Sequence, residues 1–231
     1  MFGKNIVVSQ NLRHDGELNV VSIFYTIQGE GPYAGMPCVF VRLAGCNLRC
    51  TWCDTDFESN ARMIPYESLV IDVMSKMGPG KNKLCVITGG EPLLQNIVPF
   101  IRELARHQVR VQIETAGTVW IDDLDKVTAT VVCSPKTPRI NNFLRQRCIH
   151  YKYVVGVGDE IDEKGQIITC TQPGGKPAPL AYPDEGDNIW IQPRDDQDSV
   201  KNAANLKFAR DLCLKFGYRM GVQLHKLIDV E

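Results

Sequence analysis

Short apolar segments rich in β-branched residues alternate with helix-patterned segments along most of this chain, and that alternation narrows the available folds more than any other feature. "CVFVRLAG" (38–45) reads as a first strand, "KLCVITGGE" (83–91) as a second and "QVRVQIETAG" (108–117) as a third. "TATVVCSPK" (128–136), "HYKYVVG" (150–156) and "NIWIQP" (188–193) follow as a fourth, fifth and sixth. Between the first two strands, residues 66–78 place Val70, Val73, Met74 and Met77 at helical spacing and stop at Gly78-Pro79. Residues 93–107 put Leu94, Ile97, Ile101 and Leu104 on one helical face, and 198–217 reads as a long helix capped by Asp198 and stopped by Gly217. Residues 218–231 close the chain as a strand or extended tail.

Strands spaced by helices build βαβ units and a parallel sheet, either open and doubly wound or curled into a barrel. Polar residues gather where each strand ends: Thr88-Gly89-Gly90-Glu91, Glu114-Thr115, Ser134-Pro135-Lys136 and Gln192-Pro193-Arg194. Chemistry collected at successive carboxyl ends is the habit of barrel enzymes. The expected fold is therefore α/β, a partial, modified TIM-type (βα)6 barrel of parallel strands. Residues 1–231 are expected to form a single domain, with an irregular excursion around 139–186, rich in Pro and Gly from 165 onward.

Composition removes several function classes. The chain has 231 residues, 44% apolar and 23% charged, enough for one sizeable core. A net charge of −1 gives no electrostatic basis for coating nucleic acid. No apolar run approaches the roughly 18 residues that suggest a membrane span, and the first residues lack a signal-peptide pattern. A cytoplasmic protein is expected. Its nine cysteines are odd in number and unevenly placed. Cys38, Cys85, Cys133, Cys148, Cys170 and Cys213 sit mostly among apolar neighbours and read as small buried hydrophobes.

Cys46, Cys50 and Cys53 are different, lying within eight residues in "GCNLRCTWCDT". Structural zinc takes four ligands, often as paired C-x-x-C knuckles. This chain has one such pair, with Cys38 a possible but awkward fourth ligand. A four-iron cluster takes one thiolate per iron, so three thiolates leave one iron open for a substrate or cofactor.

The C-x-x-x-C-x-aromatic-C pattern, with Trp52 as the aromatic residue, and the "TGGEP" turn at 88–92 resemble the radical S-adenosylmethionine (SAM) superfamily. "TIQGEGPYAGMPCVFVRLAGCNLRCTWCDT" together with "ITGGEP", "QIETAGT", "SPK", "IQP" and "QLHK" is similar to the 7-carboxy-7-deazaguanine synthases, from about Ser22 to the end of the chain. That resemblance implies conversion of 6-carboxy-5,6,7,8-tetrahydropterin to 7-carboxy-7-deazaguanine with loss of ammonia, a carbon–nitrogen lyase step toward queuosine and other deazapurines used in tRNA modification. It implies a [4Fe-4S] cluster on Cys46, Cys50 and Cys53 and magnesium on Thr55. SAM would meet Trp52, Cys53, Asp54, Gly89, Gly90, Glu91, Ser134, Pro135, Lys136 and Gln192. The pterin would meet Ile27, Gln28, Gly29, Glu30, Arg42, Thr88, His225 and the terminal carboxylate of Glu231. A homodimer and a reductant such as flavodoxin are implied as partners, with no protein radical relay. Glu114 carries no assigned role, and the N-terminal lead, "KNIVVSQNLRHDGEL", reads as a segment that could pair at a dimer edge. Two other readings stay open: a glycyl-radical activating enzyme, which shares the three-cysteine spacing, and a non-catalytic iron–sulfur or zinc module.

Overall fold

The protein is described by a computed structural model at residues 5–12, 16–80 and 83–230. Its strands are β1 (Glu17–Ile27), β2 (Pro37–Leu43), β3 (Arg62–Pro65), β4 (Leu84–Gly89), β5 (Arg110–Thr115) and β6 (Thr130–Cys133). They continue as β7 (His150–Val155), β8 (Glu160–Ile161), β9 (Ile167–Thr169), β10 (Ala178–Pro179), β11 (Asn188–Pro193) and β12 (Arg219–Met220). The α-helices are α1 (Tyr66–Lys76), α2 (Val98–Arg106), α3 (Asn142–Arg147), α4 (Ser199–Phe216) and α5 (Leu224–Leu227).

Nine strands form one sheet in the order β12-β11-β7-β6-β5-β4-β2-β1-β3. The six strands expected from sequence are its parallel core, β2, β4, β5, β6, β7 and β11, taken in chain order as a (βα) barrel requires. β1 and β3 extend it on one side as antiparallel strands. The other three strands, β8 to β10, form a small antiparallel sheet between β7 and β11 in the chain. The stretch 139–186, expected to be irregular, thus carries α3, β7 and a sheet of its own.

Register explains which side chains serve the core and which serve the site. Successive residues of a strand point to opposite faces, and opposite partners across a ladder share a face. Val39, Val41 and Leu43 of β2, Cys85 and Ile87 of β4, Val111 and Ile113 of β5, and Tyr151, Tyr153 and Val155 of β7 are buried in the main core with the helices. Their apolar burial contributes roughly 1.5–3 kcal/mol per side chain and determines which face turns outward to the helices. The opposite face carries Phe40 and Arg42, Val86 and Thr88, Gln112 and Glu114, Val132, Lys152 and Val154, and Gln192. The pairings Arg42↔Thr88, Val86↔Gln112, Glu114↔Val132 and Val154↔Gln192 hold them in one layer. That face is the interior of the partial barrel.

The ends of α4 follow local chemistry, and the start of α2 does not. Asp198 caps α4, accepting from the Val200 and Lys201 N–H groups at 3.0 Å each, and Gly217 ends it at φ 74°. The helix expected over 93–107 begins at Val98 instead. Gln95 accounts for the delay: its side chain accepts from the Asn19 N–H at 2.7 Å and donates to the Asn19 and Ala44 carbonyls at 3.1 Å each, tying that residue to β1. The final segment is neither one strand nor an extended tail; it forms the short β12 and then α5. Of the six scattered cysteines, five are buried as expected, and only Cys170 is partly exposed.

Candidate active site

A cavity of about 500 Å³ opens at the carboxyl ends of the parallel strands. Cys46, Cys50 and Cys53 lie on its wall, none of them in a disulfide. The loop bearing them starts from β2, and Gly90 decides how it lies. A Cβ at Gly90 would come within 2.0 Å of the Gly45 carbonyl oxygen and 2.9 Å of Cys46 Cβ, while one at Gly89 would meet the Leu43 backbone at 2.0 Å. The double glycine therefore lets the β4 turn press against the end of β2 and the start of the cysteine loop. These glycines, expected to meet SAM, thus receive neighbouring backbone on one side while also lining the cavity.

The three thiols suit an iron–sulfur cluster. Two of the sulfurs already accept N–H groups, Cys46 from Leu48 at 3.4 Å and Cys50 from Gln172 Nε2 at 3.5 Å. Burial pushes the Cys46 thiol up to about 12 and raises Cys50 and Cys53 as well, a cost that metal ligation overcomes by replacing the proton. Among the described residues no three His, Cys, Asp or Glu side chains converge closely enough to hold a single ion. A cluster in which each thiolate takes its own iron does not require such convergence.

The same cavity is lined by a buried polar network. Lys152 bridges two carboxylates, pairing with Glu30 and, at 3.2 Å, with Glu114. Glu30 also accepts from Gln192 Nε2 and Gln223 Nε2, both at 3.0 Å. Glu114 accepts from Gln28 Nε2 at 3.0 Å and Gln112 Nε2 at 2.9 Å. Burial alone would push the Glu30 carboxyl up, but Lys152, Gln223 and His225 outweigh it and hold the group at about 2. Burial likewise works against the Lys152 ammonium, and the two carboxylates overcome it and raise its pKa. The Gln192 and Gln112 side-chain oxygens are buried with no partner among the described residues, leaving acceptors in this layer.

Ile27, Gln28, Glu30, Arg42, Thr88 and His225, expected around the pterin, all line the cavity. Arg42 makes no ion pair among the described residues; its guanidinium lies 5.7 Å from the Phe24 ring centroid. Gly29 does not line the cavity. A Cβ there would meet His225 Nδ1 at 2.1 Å, and its carbonyl accepts the Leu224 N–H at 3.2 Å, so it seats α5. Burial lowers the His225 pKa, with Glu30 pulling the other way. Glu231 lies outside the described residues.

Of the residues expected around SAM, Trp52, Cys53, Asp54, Gly89, Gly90, Ser134, Lys136 and Gln192 line the cavity. Lys136 is half-buried, its ammonium 5.2 Å from the Trp52 ring centroid and 2.9 Å from the Ser134 carbonyl oxygen. Pro135 does not line the cavity, and neither does Glu91. The Glu91 carboxylate is fully buried and satisfied by the Leu93 N–H, the Thr115 hydroxyl and the Ala116 N–H, fastening the "TGGEP" turn to the end of β5. Gln192, expected near SAM, spends its amide on Glu30 and belongs to the polar network. Thr55 lines the cavity beside Asp54 and donates to its carboxylate at 3.3 Å.

Sequence reasoning missed Lys152 and left Glu114 without a role. The signal was available: a charge at an inward position of an apolar, alternating strand, as with Arg42. The described part of the N-terminal lead packs along the cysteine loop. Val8 N–H donates to the Cys46 carbonyl at 2.9 Å, and the Asn5 amide to the Leu48 carbonyl at 2.9 Å.

A six-strand parallel barrel with three free thiols at its mouth defines a class, and residues 41–168 match the model of the radical SAM superfamily. The chain is 41% identical to a 7-carboxy-7-deazaguanine synthase from Rhodospirillum rubrum, covering all of both chains. It is 35% identical to one from Rickettsia prowazekii, covering 100% of this chain and 96% of that one. The solved structure of QueE from Escherichia coli shares the fold, with a TM-score of 0.65 at 21% identity over 90% of this chain and 94% of the other. The chain belongs to the 7-carboxy-7-deazaguanine synthase family. Membership of the superfamily brings with it a [4Fe-4S] cluster and SAM.

Proposed function

We propose that this chain is a 7-carboxy-7-deazaguanine synthase, converting 6-carboxy-5,6,7,8-tetrahydropterin to 7-carboxy-7-deazaguanine with loss of ammonia. One observation carries the reading: three free thiols and a buried network of Gln, Glu and Lys side chains line one and the same cavity. When bound, the cluster and SAM supply the carbon radical chemistry; the chain's own residues bind, orient and seclude the substrate. An aminopyrimidinone edge presents donors and acceptors together, and the Gln28–Glu30–Glu114–Gln192 layer offers both. Arg42, which makes no salt bridge among the described residues although its charge reaches Asp56, would offer its guanidinium to a substrate carboxylate. Thr55 would offer an oxygen to magnesium, a cation that prefers oxygen ligands. Ser134 and Lys136, beside the cluster loop, would meet SAM with Trp52 and Asp54.

Residues 1–231 act as a single catalytic domain in this reading, in the cytoplasm and as a homodimer, with a flavodoxin-type reductant and a product destined for queuosine and tRNA modification. No described helix is long and apolar enough to cross a membrane.

Mass spectrometry of an anaerobic reaction containing reconstituted protein, SAM, magnesium and the carboxylated pterin tests the proposal. The expected product is 7-carboxy-7-deazaguanine; SAM cleavage without it points to a different substrate. Cys50→Ala should lose both iron and turnover, and a Cys50→Ala protein that still converts the pterin would remove the cluster from the mechanism.

A further inference from the structure

The small sheet of β8, β9 and β10 matches none of the motifs read from the sequence, yet the turn that follows β9 grips the cysteine loop on both sides of Cys50. The Thr171 carbonyl accepts the Thr51 N–H at 2.9 Å, and Gln172 Oε1 accepts the Arg49 N–H at 2.8 Å. The second bond orients the Gln172 amide, because an N–H group can only meet its oxygen. The Nε2 end is thereby turned to Cys50 Sγ at 3.5 Å and to Thr171 Oγ1 at 3.1 Å. Thr171 spends its own proton on the Lys136 carbonyl at 2.6 Å, so its hydroxyl can only accept from Gln172. The amide is locked from three directions with an N–H aimed at a cluster ligand.

We propose that Gln172 is a positioning residue that sets the reduction potential of the cluster through an N–H···S bond to Cys50. The inference rests on the three-cysteine cluster reading given above. Addition of one electron from an external reductant increases negative charge on the cluster and its thiolates. A donor at the sulfur therefore favours the reduced state, and hydrogen bonds to sulfur are among the determinants of cluster potential. No bond to the chain forms or breaks in that step.

The test is a redox titration with dithionite of the anaerobically reconstituted full chain, followed by electron paramagnetic resonance. Electron–nuclear double resonance of the reduced state counts exchangeable protons coupled to the cluster. Gln172→Met, which removes the donor at similar volume and without adding charge, should shift the oxidised–reduced equilibrium about tenfold toward the oxidised state, ~59 mV for one electron. It should also lose one exchangeable proton coupling. An unchanged midpoint in iron-loaded Gln172→Met overturns the proposal whatever the proton spectrum shows. Should that variant not take up iron, Gln172→Glu keeps an acceptor for the Arg49 N–H and lacks the donor at neutral pH. A full set of proton couplings or an unchanged midpoint in Gln172→Glu overturns the proposal, and the loss of one coupling together with a lowered midpoint upholds it. Absence of iron from the wild-type chain would instead defeat the cluster reading itself.

Discussion

Lys152 shows how much of this site depends on a single charge. Its side chain is 10% exposed and is shared between Glu30 and Glu114, themselves 11% and 16% exposed. A buried ion pair contributes little net stability, but removing one partner leaves the other charge uncompensated. Lys152→Met should accordingly cost ~3–5 kcal/mol near neutral pH, read as a lower urea midpoint. A cost under ~1 kcal/mol would mean water already screens the two carboxylates. The acid limb carries a second expectation. Glu30 ionises in the folded chain at about 2, against about 4.3 for an unperturbed glutamate. Its contribution is therefore complete above about pH 4.3 and lost as pH falls through 2. Glu30→Gln should flatten the decline of stability across that window, and an equally steep decline in the variant would place the titrating group elsewhere.

At the scale of elements, the decisive contacts are between strand ends rather than along strands. Gly45, Gly89 and Gly90 allow the β2 and β4 ends to touch through backbone, with the Gly90 N–H donating to the Leu43 carbonyl at 3.2 Å and the Glu91 N–H to Gly45 at 2.9 Å. Gly90→Ala places a methyl 2.0 Å from the Gly45 oxygen, so either the turn or the cysteine loop must move. The expected result is a folded protein with at least tenfold weaker retention of iron, measured by iron content after desalting; full retention would show that the loop accommodates the methyl. The helix that starts late at Val98 has the same origin: Gln95 is recruited by β1 before the helix can include it. Helical periodicity in 93–107 reports burial of Leu94 and Ile97 correctly, yet burial does not require both to be helical.

Across the whole molecule, the small sheet is joined to the main core. Ile167, Leu180 and Ala181 are buried in the cluster that includes the β7 tyrosines, and the Tyr153 hydroxyl donates to the Ala181 carbonyl at 2.5 Å. Because the two sheets share one core, the cluster-free chain should unfold in one cooperative transition, with far-ultraviolet circular dichroism and tryptophan fluorescence giving one midpoint. Two separated midpoints would show that 156–187 folds as an independent unit.

Local pattern alone determined much of this protein. The six parallel strands, α1, α4 with its Asp198 cap, and the three-cysteine loop are all written in short stretches, because strand alternation, helix capping and ligand spacing are properties of neighbouring residues. β1 escaped because a register shift between Val20 and Ser22 breaks its alternation and its pairing with β2 is antiparallel, outside the repeating βαβ order. What only the tertiary structure decided is the set of contacts between distant residues. Lys152 meets Glu30, and Gln172 meets Cys50, each across 122 positions of sequence. Such partners are chosen by the curvature of the sheet and the route of a loop, and no local pattern carries that information.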